Sequence, residues 1–271
     1  MSNGVLKVDD ERSWTFLTSN ILRLQYSFGE HNLNGLVGQE WYERHTRSSR
    51  IEMYDQIIAG ERNVGGFSKQ GDKTNPGVIP TGAERESGSF SVFSEVNYNY
   101  AGKYMASASF RTDGSTNFGK DNRYGTFYSF SGSWLVSREA FMARQDVVSN
   151  LKLRMSYGTS GKEAGMDYLN YTLYSTSNTT FDYYRNHPVY QSAYGATINQ
   201  LGNDQLSWET AYNLNIGVDV ALLNNRISLS ADWYKRRNSD LIMSTTLPAA
   251  NGVGRQYQNV GEMENLSLIH I

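Results

Sequence analysis

A period of two runs through this chain, and no other feature limits its fold as severely. Over residues 207–222, Trp208, Tyr212, Leu214, Ile216, Val218, Val220 and Leu222 alternate with Glu209, Asn213, Asn215 and Asp219. Successive side chains of a strand point to opposite faces, whereas a helix would scatter the same residues around its circumference. After "LNN" at 223–225, Ile227, Leu229, Ala231 and Trp233 alternate with Ser228, Ser230, Asp232 and Tyr234, which predicts an antiparallel hairpin with a tight asparagine turn. Further upstream, Phe90, Val92, Val96, Tyr98 and Tyr100 oppose Ser91, Glu95, Asn97 and Asn99. Tyr104, Ala106, Ala108 and Phe110 oppose Ser107, Ser109, Arg111 and Asp113. The pattern continues in Tyr124, Tyr128, Phe130, Trp134 and Val136, in Leu151, Leu153, Met155 and Tyr157, and in Leu22, Leu24, Tyr26 and Phe28. It is weakest over 33–45, where Gly35 and Gln39 interrupt the apolar face.

Eight strands are therefore predicted, at 20–29, 33–45, 88–100, 103–113, 124–137, 150–160, 207–222 and 226–242, with a ninth beginning near Asn259. Several reach the roughly 9 to 11 residues that a tilted strand needs to cross a bilayer. The joins are unequal. Those at 30–32, 101–102 and 223–225 are tight, while 46–87 and 161–206 are long. Antiparallel strands alternate direction, so counting from the tight turns places 138–149 at the short-turn end and 114–123 at the long-loop end. Short turns at one end and long loops at the other characterise outer-membrane barrels.

Composition agrees. Aromatics make up 13% of the 271 residues, with 19 Tyr and 11 Phe, and only four Pro occur, which suits strands better than helices. The aromatics gather toward strand ends (Tyr98, Tyr100, Tyr104, Trp134, Trp208, Trp233), as interfacial girdles require. A secreted antiparallel sandwich is the alternative, but its inward face would favour Val, Ile and Leu. A net charge of -2 gives no basic field for nucleic acid. Zero Cys removes disulfides, thiolate metal sites and cysteine nucleophiles. The opening "MSNGVLKVDDERSW" does not read as a signal peptide, and no apolar run reaches the roughly 18 residues of a membrane helix.

No catalytic or metal constellation is legible. The four His are scattered, and no nucleophile elbow, phosphate loop or dinucleotide fingerprint occurs. Glu84 and Glu86 lie in the polar segment "GAERESGS" and read as solvated rather than as a catalytic pair. "TDG" at 112–114 lacks the remaining calcium-ligand spacing and reads as a strand-end turn. Arg111, Asp113, Lys152, Arg154, Glu209, Asp219 and Asp232 either pair across strands or line a solvated interior. Substrate contact is best sought in "TTFDYYRNHPVYQSAYG", where Tyr183, Tyr184 and Tyr190 beside Arg185 suit sugar rings or peptides, with packing inside the loop as the alternative.

The stretches "FRTDGSTNFGKDNRYGTFYSFSGSWLVSREAFM", "VVSNLKLRMSYGTSG", "LSWETAYNLNIGVDVALLNNRISLSADWYKR" and "NVGEMEN" resemble the SusC/RagA family of TonB-dependent outer-membrane transporters of Bacteroidetes. The resemblance implies an all-β fold: a partial antiparallel transmembrane barrel, about 8 to 9 strands of about 22, an open curved sheet with long extracellular loops. It further implies uptake of oligosaccharides or peptides, contact with outer-membrane lipid, a SusD-like surface lipoprotein partner and the TonB complex acting through a plug. No cofactor is implied. Residues 1–265 are expected to be barrel wall without plug or TonB box, and the tail "LSLIHI" at 266–271 reads as translated sequencing-adapter DNA joined to a truncated gene. Such a slice has two unpaired edges and is expected neither to fold stably in water nor to transport by itself. An outer-membrane adhesin or structural barrel without transport is the other membrane reading, and a secreted carbohydrate-binding β-sandwich the reading outside the membrane.

Overall fold

The computed structural model describes residues 4–70, 81–177 and 195–270. Among the described residues the strands are β1 (Val5–Phe28), β2 (His31–Gln56), β3 (Phe67–Gln70), β4 (Thr81–Tyr100), β5 (Tyr104–Ser115), β6 (Tyr124–Leu135), β7 (Val148–Lys162), β8 (Leu173–Ser177), β9 (Gly195–Gln200), β10 (Glu209–Leu222), β11 (Ile227–Thr246) and β12 (Arg255–His270). Ten of them make one sheet in the order β1-β2-β4-β5-β6-β7-β10-β11-β12, with β3 paired to β2, and β8-β9 form a separate hairpin. The order has two ends, β1 and β12, and is not closed.

The chain divides into two compact units, 18–41 with 89–271 and 1–17 with 42–88. In the larger unit β5 through β7 and β10 through β12 pair antiparallel with their neighbours, in unbroken register except for irregularities at Ala221–Leu222 against β7 and at Asn238–Ile242 against β12. The tight connections follow local backbone chemistry. Ala101 and Gly102 both take positive φ, the sign pattern of a type I′ turn that matches strand twist, and Lys103 N–H donates to the Tyr100 carbonyl at 2.9 Å. Leu223, Asn224 and Asn225 are likewise left-handed, and Arg226 N–H closes onto the Leu222 carbonyl at 3.1 Å. Asparagine tolerates that region well; Leu223 is carried there by its neighbours.

Alternation is what the pairing displays. On one face of the larger unit stand Leu22, Leu24, Tyr26, Phe110, Phe130, Met155 and Ile216, all exposed, with Leu22 at 76%. Among the described residues no second layer covers them. A soluble chain rarely leaves so much contiguous apolar surface open, since each Å² kept in water forgoes roughly 25 cal/mol. The sandwich alternative is therefore corrected: its apolar positions would be buried between two sheets.

A cluster of buried apolar residues lies at the loop end. Phe118 and Leu206 are fully enclosed, joined by Leu169 and Ala164, with Trp208, Ile242 and Tyr257 packed against them. These residues come from the joins 116–123 and 163–208 and from the ends of β11 and β12, so the joins make a small core of their own. The 161–206 join also holds β8 and β9. Only its length is legible in the sequence.

The smaller unit carries another difference. The join expected at 46–87 is largely strand, because β2 runs to Gln56 and β4 begins at Thr81. Polar contacts hold these extensions: Lys7 with Glu52 at 2.8 Å, Arg50 with Asp9 at 2.5 Å, and Ser13 with Thr46 at 3.1 Å. Backbone pairing with charge on both faces leaves no hydrophobic period to detect.

Candidate functional site

The face opposite the exposed aromatics carries the chemistry. Arg154 on β7 stands opposite Gly217 on β10, which stands opposite Asp232 on β11. Its guanidinium grips Asp219 bidentately, Nε to Oδ2 at 2.8 Å and Nη2 to Oδ1 at 2.9 Å. Nη2 also donates to Asp232 Oδ2 at 3.1 Å, and the Ser230 hydroxyl donates to Asp219 Oδ1 at 2.7 Å. Gly217 makes this bridge fit: a Cβ there would stand 2.5 Å from Asp232 Oδ1 and 2.8 Å from Arg154 Nη2. Only arginine offers a planar fork long enough to serve two carboxylates across three strands.

Elsewhere on the face the partners are smaller. Ser107 meets Ser131, and Ser109 meets Ser129, each at 2.6 Å. Arg111 donates to Asp113 at 2.6 Å and to Ser91 at 3.0 Å, and its guanidinium lies over the Phe93 ring. Glu209 faces Lys162 at 3.4 Å and accepts from the Ile242 amide at 2.9 Å. A groove of about 510 Å³ runs among Asn97, Asn99, Ser107, Ser131, Lys152 and Arg154. Of the seven charged residues expected on this face, Arg111, Asp113, Arg154, Glu209, Asp219 and Asp232 pair, and Lys152 lines the groove. Amides, hydroxyls and neutralised charges offer a passing solute many weak, exchangeable hydrogen bonds and no deep trap.

Not all of this face is polar. The Phe127 ring covers Gly161 on β7 so closely that a Cβ there would lie 1.9 Å from it, and Trp208 meets Phe127 edge-on at 5.8 Å. The aromatic closes the gap where two strands have no side chain to offer.

At the loop end Glu163 organises the 116–123 join. Its carboxylate accepts hydrogen bonds from the Ser115 hydroxyl and from Asn117 Nδ2, the latter at 2.8 Å. Trp208 Nε1 donates to the Arg123 carbonyl at 3.0 Å, and Asn259 pairs reciprocally with the Ser207 backbone at 2.9 and 3.0 Å. "TDG" at 112–114 is not the turn expected of it: Thr112, Asp113 and Gly114 belong to β5, paired with Thr126, Gly125 and Tyr124, and the join begins only after Ser115. The burial of Phe118 within that join has no periodic signal. In the smaller unit Glu84 and Glu86 are exposed, as expected, but both face His45, at 3.0 Å to Nε2 and 2.9 Å to Nδ1, and its ring stacks on Trp14. No local pattern marks His45 as their partner, because it lies 39 residues from Glu84, on β2. Tyr183, Tyr184, Arg185 and Tyr190 lie outside the described residues.

The larger sheet thus presents one exposed apolar face and one mostly polar face. The family described as TonB dependent receptor-like, beta-barrel matches residues 3–266. The chain belongs to this family of outer-membrane β-barrels. TonB-dependent receptor P3 of Formosa agariphila is 34% identical over 252 residues, 92% of this chain and 24% of that protein. TonB-dependent receptor SusC of Bacteroides thetaiotaomicron is 34% identical over 180 residues, 66% of this chain and 18% of that protein. Among solved structures, the RagAB peptide transporter superposes with a TM-score of 0.82 at 28% identity, over 97% of this chain and 28% of that chain. The chain thus spans about a quarter of the length of the relatives it matches.

Proposed function

We propose that residues 1–265 are part of the wall of an outer-membrane importer of oligosaccharides or peptides. In this reading the complete receptor works with a SusD-like surface lipoprotein, and the TonB complex drives it through a plug. The observation that carries the reading is the two-sided sheet: exposed Leu22, Phe110, Phe130 and Ile216 turn to lipid, while the serine ladders and the Arg154 network turn to the lumen. The likeness to the RagAB peptide transporter and to SusC supports import over adhesion. Tyr183, Tyr184, Arg185 and Tyr190 are assigned to substrate contact in the outer loops, and no residue is assigned to catalysis.

The test has two parts. The complete gene should encode a plug upstream of this segment and lie beside a surface-lipoprotein gene. Cells carrying the complete receptor should accumulate labelled oligosaccharides or oligopeptides, and one class should compete with the other only weakly. Replacing Tyr183 and Tyr184 by Ala should lower uptake by about tenfold, the loss of two aromatic contacts. A receptor that reaches the outer membrane yet accumulates neither class would refute the reading.

A further inference from the structure

The connection between β6 and β7 is folded more elaborately than a turn at the short end of a barrel needs. It contains two 3-10 turns, Val136–Arg138 and Ala140–Met142, with Glu139 between them. Glu139 does not face open solvent. Its Oε1 accepts the Tyr104 hydroxyl at 2.7 Å and the Trp134 indole N–H at 3.1 Å, and Oε2 faces Lys103 Nζ at 3.5 Å. Tyr104 and Trp134 belong to the exposed aromatic face, where their rings stack 6.2 Å apart at 11°. The connection is therefore strapped beneath the lipid-side belt. Arg138 adds a second strap, Nη1 to the Gly102 carbonyl at 3.2 Å.

Beyond the straps the connection leaves unusual residues uncovered. Phe141 is 65% exposed and Val147 56%. Arg144 and Asp146 are exposed and form no ion pair among the described residues, and the Arg138 charge meets only a carbonyl. In water an exposed phenylalanine beside unpaired charges of both signs gains nothing. At a bilayer interface each group finds a partner: the ring enters the upper acyl region, a guanidinium binds phosphate, and a carboxylate binds the ethanolamine ammonium.

We infer that residues 136–147 are an interfacial anchor seated in the phospholipid headgroup layer of the inner leaflet. Phe141 and Val147 dip toward the acyl chains, Arg138 and Arg144 take phosphates, and Glu139 fixes the anchor against the aromatic belt. The occupant is a zwitterionic phospholipid leaflet, because the uncovered charges are of both signs and the surface continues the belt of Tyr100, Tyr104 and Trp134. The inference rests on the wall reading above; with the long loops outside the cell, the short-turn end of such a barrel is periplasmic.

The chain has no Cys, so single cysteines can be labelled cleanly. A cysteine-free complete receptor carrying this segment is reconstituted in phosphatidylethanolamine vesicles with a minority of phosphatidylglycerol, with an environment-sensitive fluorophore at Phe141→Cys, Phe130→Cys or Ser131→Cys. Nitroxide lipids labelled at the headgroup or in mid-chain serve as quenchers. Position 141 should be quenched about threefold more by the headgroup probe, position 130 by the mid-chain probe, and position 131 by neither. Adding Glu139→Ala should move position 141 toward water and leave position 130 unchanged. Quenching at 130 but none at 141, or deep quenching at 141, would overturn the anchor alone. No quenching at 130 would overturn the wall reading and the anchor with it.

Discussion

The Arg154 bridge gives a prediction whose sign depends on the partner present. Gly217→Ala places a methyl 2.5 Å from Asp232 Oδ1 and 2.8 Å from Arg154 Nη2, so the 3.1 Å bond between them must open. A charge-assisted hydrogen bond contributes roughly 1.5 to 3 kcal/mol when buried, and less where the groups are partly wet. Here the side chains are 32% and 28% exposed, so about 1.5 kcal/mol is the reasonable figure after screening. Against this, Ala in a strand interior gains roughly 0.5 to 1 kcal/mol over Gly. The net cost in the native background is then about 1 kcal/mol. With Asp232→Ala already in place, the acceptor is gone and the flexible Arg154 end can yield, so Gly217→Ala should stabilise by about 0.5 kcal/mol. The coupling between the two sites is thus about 1.5 kcal/mol, measurable by a double-mutant cycle on urea unfolding of the complete receptor in vesicles. Equal effects of Gly217→Ala in both backgrounds would show that the bridge contributes no stability and that the close approach is incidental.

Three further outcomes follow from other parts of the molecule. Phe118→Ala should cost the loop-end core about 3 to 5 kcal/mol, read as loss of hydrogen-exchange protection in 116–123 and 163–172 with β5 to β7 still protected; unchanged protection would mean the joins are not held by this core. Gly161→Val should displace the Phe127 ring, destabilising by about 1 to 3 kcal/mol in thermal band-shift assays, whereas a Val tolerated at no cost would refute the ring-over-glycine packing. The third concerns acid. The Tyr104 hydroxyl, then the Trp134 N–H and Lys103, hold the Glu139 carboxyl below its ordinary 4.5. A carboxyl lowered in the folded state adds stability above the unfolded value, lost as pH falls through the folded one. The fluorophore at position 141 should therefore be constant at neutral pH and detach only below 4.5, with Glu139→Gln flattening the response; detachment between pH 6 and 7 would rule out this carboxylate as the strap.

What the residue order determined was the part of the sheet where one face is apolar and the other polar. There a period of two is compulsory, so β4, β5, β6, β7, β10 and β11 were legible to within a few residues at most ends, as was the parity that puts the join expected at 138–149 with the short turns. The glycine at 217 was visible as a residue but not as a passage for Arg154, because that role exists only when β7, β10 and β11 come into register. The same holds for the extensions of β1, β2 and β4, where charge occupies both faces and pairing alone defines the strand, and for His45 between Glu84 and Glu86. Tertiary structure decided the loop-end core as well: Phe118, Leu169 and Leu206 are far apart in the chain and follow no period, so their burial arises only from the meeting of the joins. Alternation records what each strand faces, while contacts between distant segments leave no local imprint until the chain folds.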